Sequence, residues 1–282
     1  MLTPFTWLAY VYVRNQRIHL EVEDMNIIDE LTWRGAINQQ TDAEGLKELT
    51  ENKSISLYCG VDPTGDSMHI GHLIPFMMMK RFELAGHHPY ILIGGATGSI
   101  GDPSGRKSER QLQTMETVQA NVKSLTQQMQ KLFGGSSNIS FVNNYDWLSK
   151  ISLLDFLRDY GKLVNINTML AKDIVASRLD VGISFTEFTY QILQSVDFLT
   201  LHHEHGIQLQ IGGADQWGNI TSGIDLIHKI DGADEQVYGL TIPLMLKADG
   251  TKFGKTAGGA IWLDAKKTSP YEFYQFWLNQ DA

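Results

Sequence analysis

Short apolar runs alternate along the chain with longer stretches whose apolar residues recur at helical spacing. "SISLYCGV" (54–61), "HPYILIGG" (88–95), "ISFVNN" (139–144), "GIQLQIGG" (206–213) and "YGLTIPLML" (238–246) read as buried strands. Between them, helical periodicity covers 71–86 and a long polar segment from Lys107 to Phe133. It also covers 152–163, 184–205 with Ser184 as N-cap, and 215–230. Strands alternating with helices predict an α/β fold: a mainly parallel sheet with helices on both faces. In such sheets ligands gather beyond the carboxyl ends of the strands. The unusual residues fall there, in "CGVDPTGDSMHIGH", "GGATGSIGDPSG", "NNYDW", "GGADQWGN" and "KADGTKFGKT".

Both ends of the chain depart from this pattern. "MLTPFTWLAYVYV" is apolar but too short to span a bilayer, and it lacks a basic leading segment or cleavage site. Residues 1–24 read as an extension outside the core fold, or as an edge strand "AYVYV" added to it. Ordinary amphipathic character begins at Met25. The aromatic-rich "SPYEFYQFWLNQDA" reaches the last residue without a stop signal, as a fragment would. The 282 residues are 43% hydrophobic and 20% charged, ordinary for a globular protein. Lys and Arg number 23 against 32 Asp and Glu, net −9, so the chain as a whole does not advertise nucleic-acid binding. A single cysteine, Cys59, excludes an internal disulfide and fits a reducing cytoplasm.

Candidate chemistry begins with Asp62-Pro63-Thr64-Gly65, a tight turn followed by His69, Gly71 and His72. Histidines three apart at a helix start share a face above N–H groups that favour anions, which suits a phosphate held by His69 and Thr64 with His72 nearer a sugar. A zinc site would need further ligands. Thr97 and Asp102 sit in a glycine-rich loop a flat ligand could lie against, with Asp102 alternatively only a turn cap. Tyr190, Gln194 and Asp197, at i, i+4 and i+7 of an apolar helix, point one way and suit a small polar ligand, or form a solvated face. Asp215 could take both hydroxyls of a ribose, and Gln210 and Gln216 could meet an amino group or carboxylate. His202, His203 and His205 read as a solvated helix end. Gly250-Thr251-Lys252-Phe253-Gly254-Lys255-Thr256 imitates a P-loop but has three residues between its glycines, where four are needed. The next four residues, Ala-Gly-Gly-Ala, make a poor helix start.

"HIGH" (69–72) with a downstream "KFGKT" (252–256) resembles the two signatures of class I aminoacyl-tRNA synthetases. "YCGVDPTGDSMHIGH", "GGATGSIGDPSG", "SFTEFTYQILQSVDFL" and "QIGGADQWGNIT" are similar to bacterial tyrosyl-tRNA synthetases, from about Met25 to the end. The resemblance implies a Rossmann-like catalytic domain with an inserted helical connective segment, forming tyrosyl-adenylate from tyrosine and ATP with Mg²⁺ and no protein-ligated metal. It implies that Tyr190 and Asp197 bind the tyrosine hydroxyl, and that Tyr58, Asp102 and Gln194 surround the ammonium with Thr97 nearby. Gln210 joins this substrate set. Cys59, Gly60, His72, Gly213 and Asp215 would hold the ribose, with Asp62 and Gly71 also on the ATP side. Thr64 and His69 would meet the γ-phosphate, and Lys252, Lys255 and Thr256 the pyrophosphate. Gln216 would lie by the reacting carboxylate and α-phosphate.

Catalysis would then be positioning plus charge stabilisation, because a carboxylate needs no general base. A buried hydroxyl reader would reject phenylalanine, an effect for which tyrosyl-tRNA synthetases are themselves a standard example. It argues against a tryptophan enzyme of the same fold, and the intact HIGH and lysine signatures argue against a non-catalytic RNA-binding relative. The expected organisation is an extension at 1–24, a catalytic domain at 25–247, and the KFGKT loop with the start of a helical region at 248–282. The family's C-terminal tRNA-binding domains are missing from it. A cytoplasmic homodimer is expected, with no membrane partner, with "NNYDW" and the following helices as interface candidates. Tyrosine activation should persist and charging of tRNA(Tyr) be impaired.

Overall fold

The computed structural model describes residues 25–104, 111–176, 178–180, 182–244 and 260–279. Six strands form one sheet: β1 Gln39–Gln40, β2 Ser56–Val61, β3 His88–Ile93, β4 Ser140–Asn143, β5 Ile207–Gly213 and β6 Tyr238–Ile242. Their order is β1-β6-β5-β2-β3-β4. All neighbours pair in parallel except β1, which runs antiparallel to β6. The chain winds outward from β2 through β3 to β4, then crosses back to β5 on the other side of β2. That reversal leaves a crevice at the carboxyl ends of β2 and β5.

The helices arise from caps and apolar stripes. The longer ones are α1 Ile27–Trp33, α2 Ala43–Asn52, α3 Ile70–Leu84, α4 Met115–Leu132, α5 Phe185–His205, α6 Trp217–Asp231 and α7 Pro270–Leu278. Side chains alternate across β2, so Leu57, Cys59 and Val61 face a core with α1 to α4, whereas Tyr58 faces a second core with α5 and α6. Fully burying an aliphatic or aromatic side chain such as Leu57, Phe76 or Phe198 contributes about 1.5–3 kcal/mol, which anchors both helical layers. Among the described residues no helix is long and apolar enough to cross a membrane.

The α/β expectation holds, with three local corrections. The helix expected from Lys107 starts at Met115, where the Thr114 hydroxyl caps the Thr117 N–H; residues 111–114 are not helical, and 105–110 lie outside the described residues. The single helix expected over 152–163 is a helical turn, a π-turn at Phe156–Tyr160 and a 3₁₀ turn at Gly161–Leu163. Leu153, Leu154 and Leu157 are exposed there, so no buried stripe enforces a regular helix. The last strand ends at Ile242 because Pro243 has no N–H for the ladder. Residues 1–24 and the KFGKT loop lie outside the described residues.

Candidate active site

A cavity of about 310 Å³ opens at the crevice beside β2. Strand ends supply Tyr58, Cys59, Gly60, Gln210 and Gly213; the turn after β2 supplies Asp62 and Thr64; the start of α3 supplies His69, Gly71 and His72. Thr97 and Asp102 come from the loop after β3, Tyr190, Gln194 and Asp197 from α5, and Asp215 and Gln216 from the turn after β5. Every candidate residue within the described chain therefore lines one cavity. Lys252, Lys255 and Thr256 lie outside the described residues.

Ser184 starts α5 by accepting the Glu187 N–H, and Gly206, at φ 61°, ends it in the left-handed conformation glycine tolerates. With those ends fixed, Tyr190, Gln194 and Asp197 stand over the sheet rather than on a solvated face. The Tyr190 hydroxyl donates to Asp62 Oδ2 at 2.9 Å, and the Thr97 hydroxyl donates to Asp62 Oδ1 at 2.7 Å. Asn144 donates to both Thr97 Oγ1 and Asp197 Oδ2, each at 2.9 Å, while accepting the Ala96 N–H. The Trp147 indole donates to Asp197 Oδ1 at 2.8 Å. Burial pushes the Asp197 carboxyl up to about 7 against the lowering effect of the Asn144 and Trp147 donors.

Two residues with expected ligand roles take protein partners in this network. Asp62, assigned to the ATP side, receives the hydroxyls of Tyr190 and Thr97. Tyr190, assigned to the tyrosine hydroxyl with Asp197, has its own proton committed to Asp62. Tyr58 instead is buried in the electrostatic field of Asp197: burial first, then that carboxylate, hold its phenol well above the ordinary value. Tyr58 is paired in register with Gln210 across β2 and β5. The Tyr58 hydroxyl and Gln210 Oε1 are buried and find no hydrogen-bond partner among the described residues. An unpaired buried polar atom costs about 1–3 kcal/mol, so the pair argues for a polar ligand in the cavity.

Sequence reasoning missed Asn144, Trp147 and Asn219. The first two belong to "NNYDW", a stretch placed beyond the strand ends and named as an interface candidate, with no role given to either residue; both turn inward, leaving Tyr145 and Asp146 exposed. A buried Asn beside a strand end was the available signal. Asn219 donates to Gln194 Oε1 and Gln216 Oε1, and Gln216 donates to Asp102 Oδ2 at 2.8 Å. These amides join α5, α6 and the loop after β3 along one wall.

The other end of the cavity is built by α3. His69 Nδ1 accepts the Gly71 N–H at 3.1 Å, and His72 Nδ1 accepts the His69 N–H at 3.3 Å. Each ring therefore carries its hydrogen on Nε2, as a donor. The rings stack with centroids 4.0 Å apart at the positive end of the helix, where anions are favoured. Burial drives the Cys59 thiol up to about 12, so it lines the cavity as a neutral group. The histidine cluster of α5 is engaged elsewhere: His202 with the Ile207 carbonyl, His203 with Asp231, and His205 against Tyr90. Among the described residues no group of three or more His, Cys, Asp or Glu is arranged to hold a metal ion.

Residues 50–282 match the family model of class I tRNA synthetases for tryptophan and tyrosine. The chain is 91% identical over 257 residues to a tyrosine–tRNA ligase of Levilactobacillus brevis, covering 91% of this chain and 62% of that protein. It is 85% identical to the tyrosine–tRNA ligase of Latilactobacillus sakei, covering 61% of it. The chain thus spans about three-fifths of the length of these relatives. A C-terminally truncated mitochondrial tyrosyl-tRNA synthetase of Aspergillus nidulans superposes with a TM-score of 0.79 at 32% identity, over 91% of this chain and 76% of that one.

Proposed function

The chain belongs to the class I tRNA synthetases for tryptophan and tyrosine, and on that premise we propose that it activates L-tyrosine with ATP, giving tyrosyl-adenylate and pyrophosphate. The observation that carries the reading is the buried Tyr58 hydroxyl beside Asp197, in a cavity of about 310 Å³ at the strand ends. A phenol entering there would donate to the Asp197 carboxylate and accept from Tyr58. Tyr190, Asp102 and Gln194 then surround the ammonium, and Thr97 acts by fixing Asp62. This assignment exchanges Tyr58 and Tyr190 relative to the sequence expectation. Tryptophan has no hydroxyl to satisfy the pair, which favours tyrosine.

With tyrosine so held, its carboxylate attacks the α-phosphorus of ATP; the new acyl–phosphate bond forms as the bond to pyrophosphate breaks. His69 and His72 donate from Nε2 toward phosphate and ribose, aided by the α3 N-terminus and Thr64. Asp215, with the backbone at Gly60 and Gly213, takes the ribose hydroxyls, Gln216 lies by the reacting carboxylate, and Lys252, Lys255 and Thr256 meet the leaving pyrophosphate. Mg²⁺ would accompany the nucleotide rather than be held by protein ligands, and would neutralise phosphate charge there.

The same reading assigns catalysis to residues 25–247, in the cytoplasm. It makes tyrosine activation by these 282 residues more efficient than charging of tRNA(Tyr), because a net charge of −9 offers RNA no general attraction. It also makes the protein a homodimer: Leu153, Leu154, Leu157, Ile166, Leu179 and Phe185 expose large apolar side chains within one stretch of chain. The test is ATP–pyrophosphate exchange with tyrosine, phenylalanine and tryptophan. Exchange with tyrosine alone is expected; equal exchange with all three, or none from folded protein, overturns the reading.

A further inference from the structure

Residues 261–263 reach back to the start of α3 and pair with it. The Ile70 N–H donates to the Ile261 carbonyl at 3.0 Å and the Leu263 N–H to the Met68 carbonyl at 2.9 Å, which sets Trp262 opposite His69 in an antiparallel bridge. Opposed side chains in such a pair interact directly. The indole meets the imidazole edge-on, with centroids 6.0 Å apart and planes at 73°. His69 is stacked on His72 as well, so two rings define its plane. Trp262 is itself gripped. The Lys267 ammonium lies 4.9 Å from the indole centroid and is ion-paired with Asp66, and the Trp262 backbone N–H donates to Thr268 Oγ1 at 2.9 Å. The grip is built by a turn in which Lys267 and Thr268 N–H groups both donate to the Asp264 carbonyl.

We propose that Trp262 is a positioning residue for His69, and that Lys267, tied to Asp66, holds the indole in place. Because His69 Nδ1 is occupied by the Gly71 N–H, the ring works through Nε2, and the angle of the ring decides where that donor aims. Trp262 fixes the angle without touching a substrate. The proposal rests on the reading of His69 as a phosphate ligand, and small misplacements of such groups cost up to about 100-fold in rate.

The test compares Trp262→Ala, Trp262→Phe, Lys267→Met, His69→Ala and the Trp262→Ala/His69→Ala double variant of this chain. The readouts are pyrophosphate exchange, tyrosine binding and ¹⁵N resonances of the histidines. Trp262→Ala is expected to lower kcat by about tenfold or more with tyrosine affinity unchanged, and to shift the His69 resonances. Trp262→Phe should restore most of the loss. The double variant should be no slower than His69→Ala alone, since one residue acts through the other. Lys267→Met, which leaves the backbone bridge in place, should lower kcat about two- to threefold, and serves if Trp262→Ala does not fold. Independent, multiplying losses in the double variant overturn the proposal, as do unmoved His69 resonances in Trp262→Ala or an unaffected kcat in Lys267→Met. If His69→Ala alone keeps full turnover while Trp262→Ala still moves the His69 resonances, the phosphate role of His69 falls and the structural coupling stands.

Discussion

The two ends of the cavity are built on opposite principles. At the amino-acid end, Tyr190, Asp62, Thr97, Asn144, Asp197 and Trp147 form a continuous chain of hydrogen bonds in which Thr97, Asn144 and Asp197 are almost fully buried. At the other end, His69, His72 and Thr64 sit on a helix start and a turn, partly exposed, and the two imidazoles take their arrangement from backbone N–H groups and from ring contacts with each other and with Trp262. A buried network beside the unpaired Tyr58 hydroxyl discriminates, because any ligand lacking the matching hydroxyl leaves polar atoms unpaired. A helix start with nearby donors gives general attraction to phosphate and says little about what carries it. Selectivity and reactivity are therefore separable here, and substitutions should divide them.

The largest effect is expected from adding one carbon at the amino-acid end. A Cβ on Gly94 would lie 2.1 Å from Asp62 Oδ1 and 2.4 Å from Thr97 Oγ1, atoms locked in the network. Gly94→Ala should cost about 1–3 kcal/mol in denaturant unfolding and weaken tyrosine binding about tenfold or more by equilibrium dialysis. Asn144→Ala comes next: it strips a donor from Asp197 and a partner from Thr97, and should destabilise by about 1–2 kcal/mol while raising the Asp197 pKa further.

These two predictions concern residues of unequal visibility in the sequence. The sheet was legible because period encodes it, and spacing put Tyr190, Gln194 and Asp197 on one helical face. That this face meets the cavity rather than solvent, and what it does there, spacing alone left open; the roles came from the resemblance carried by those residues and the HIGH turn. Asn144 and Trp147 were not legible, since their role exists only once β4 lies beside β3 and its end meets α5. The exchange of Tyr58 for Tyr190 proposed above has the same origin. Tyr58 sits in an apolar strand that reads as core, and nothing local reveals that Asp62 captures the Tyr190 proton.

A third, intermediate effect is set by pH. With Asp197 pushed up to about 7 in the free protein, a bound phenol should favour its ionised form, releasing a proton. Tyrosine affinity should therefore rise as pH climbs through about 7 and level off above it, while phenylalanine affinity stays flat; calorimetry in buffers of different ionisation enthalpy measures the proton. For folding, the native carboxyl holds its proton to higher pH than the unfolded chain does. This group's contribution to stability thus falls between about pH 4 and 7, visible as a shrinking difference between wild type and Asp197→Asn. The smallest effect belongs to the nucleotide end. A Cβ on Gly213 would lie 2.8 Å from Asp215 Oδ1, the far end of a side chain rather than backbone. Gly213→Ala should change stability by less than about 1 kcal/mol and raise the KM for ATP a few-fold, with tyrosine affinity intact.

The most direct test of the amino-acid end is the ratio of kcat/KM for tyrosine to that for phenylalanine in pyrophosphate exchange, compared between wild type, Tyr58→Phe and Tyr190→Phe. Removing the Tyr58 hydroxyl should lower the tyrosine value about tenfold, leave the phenylalanine value unchanged and so collapse the ratio. In Tyr190→Phe both values should fall together, preserving it. A ratio that survives in Tyr58→Phe and collapses in Tyr190→Phe would contradict the assignment of Tyr58 and Asp197 as the readers of the tyrosine hydroxyl.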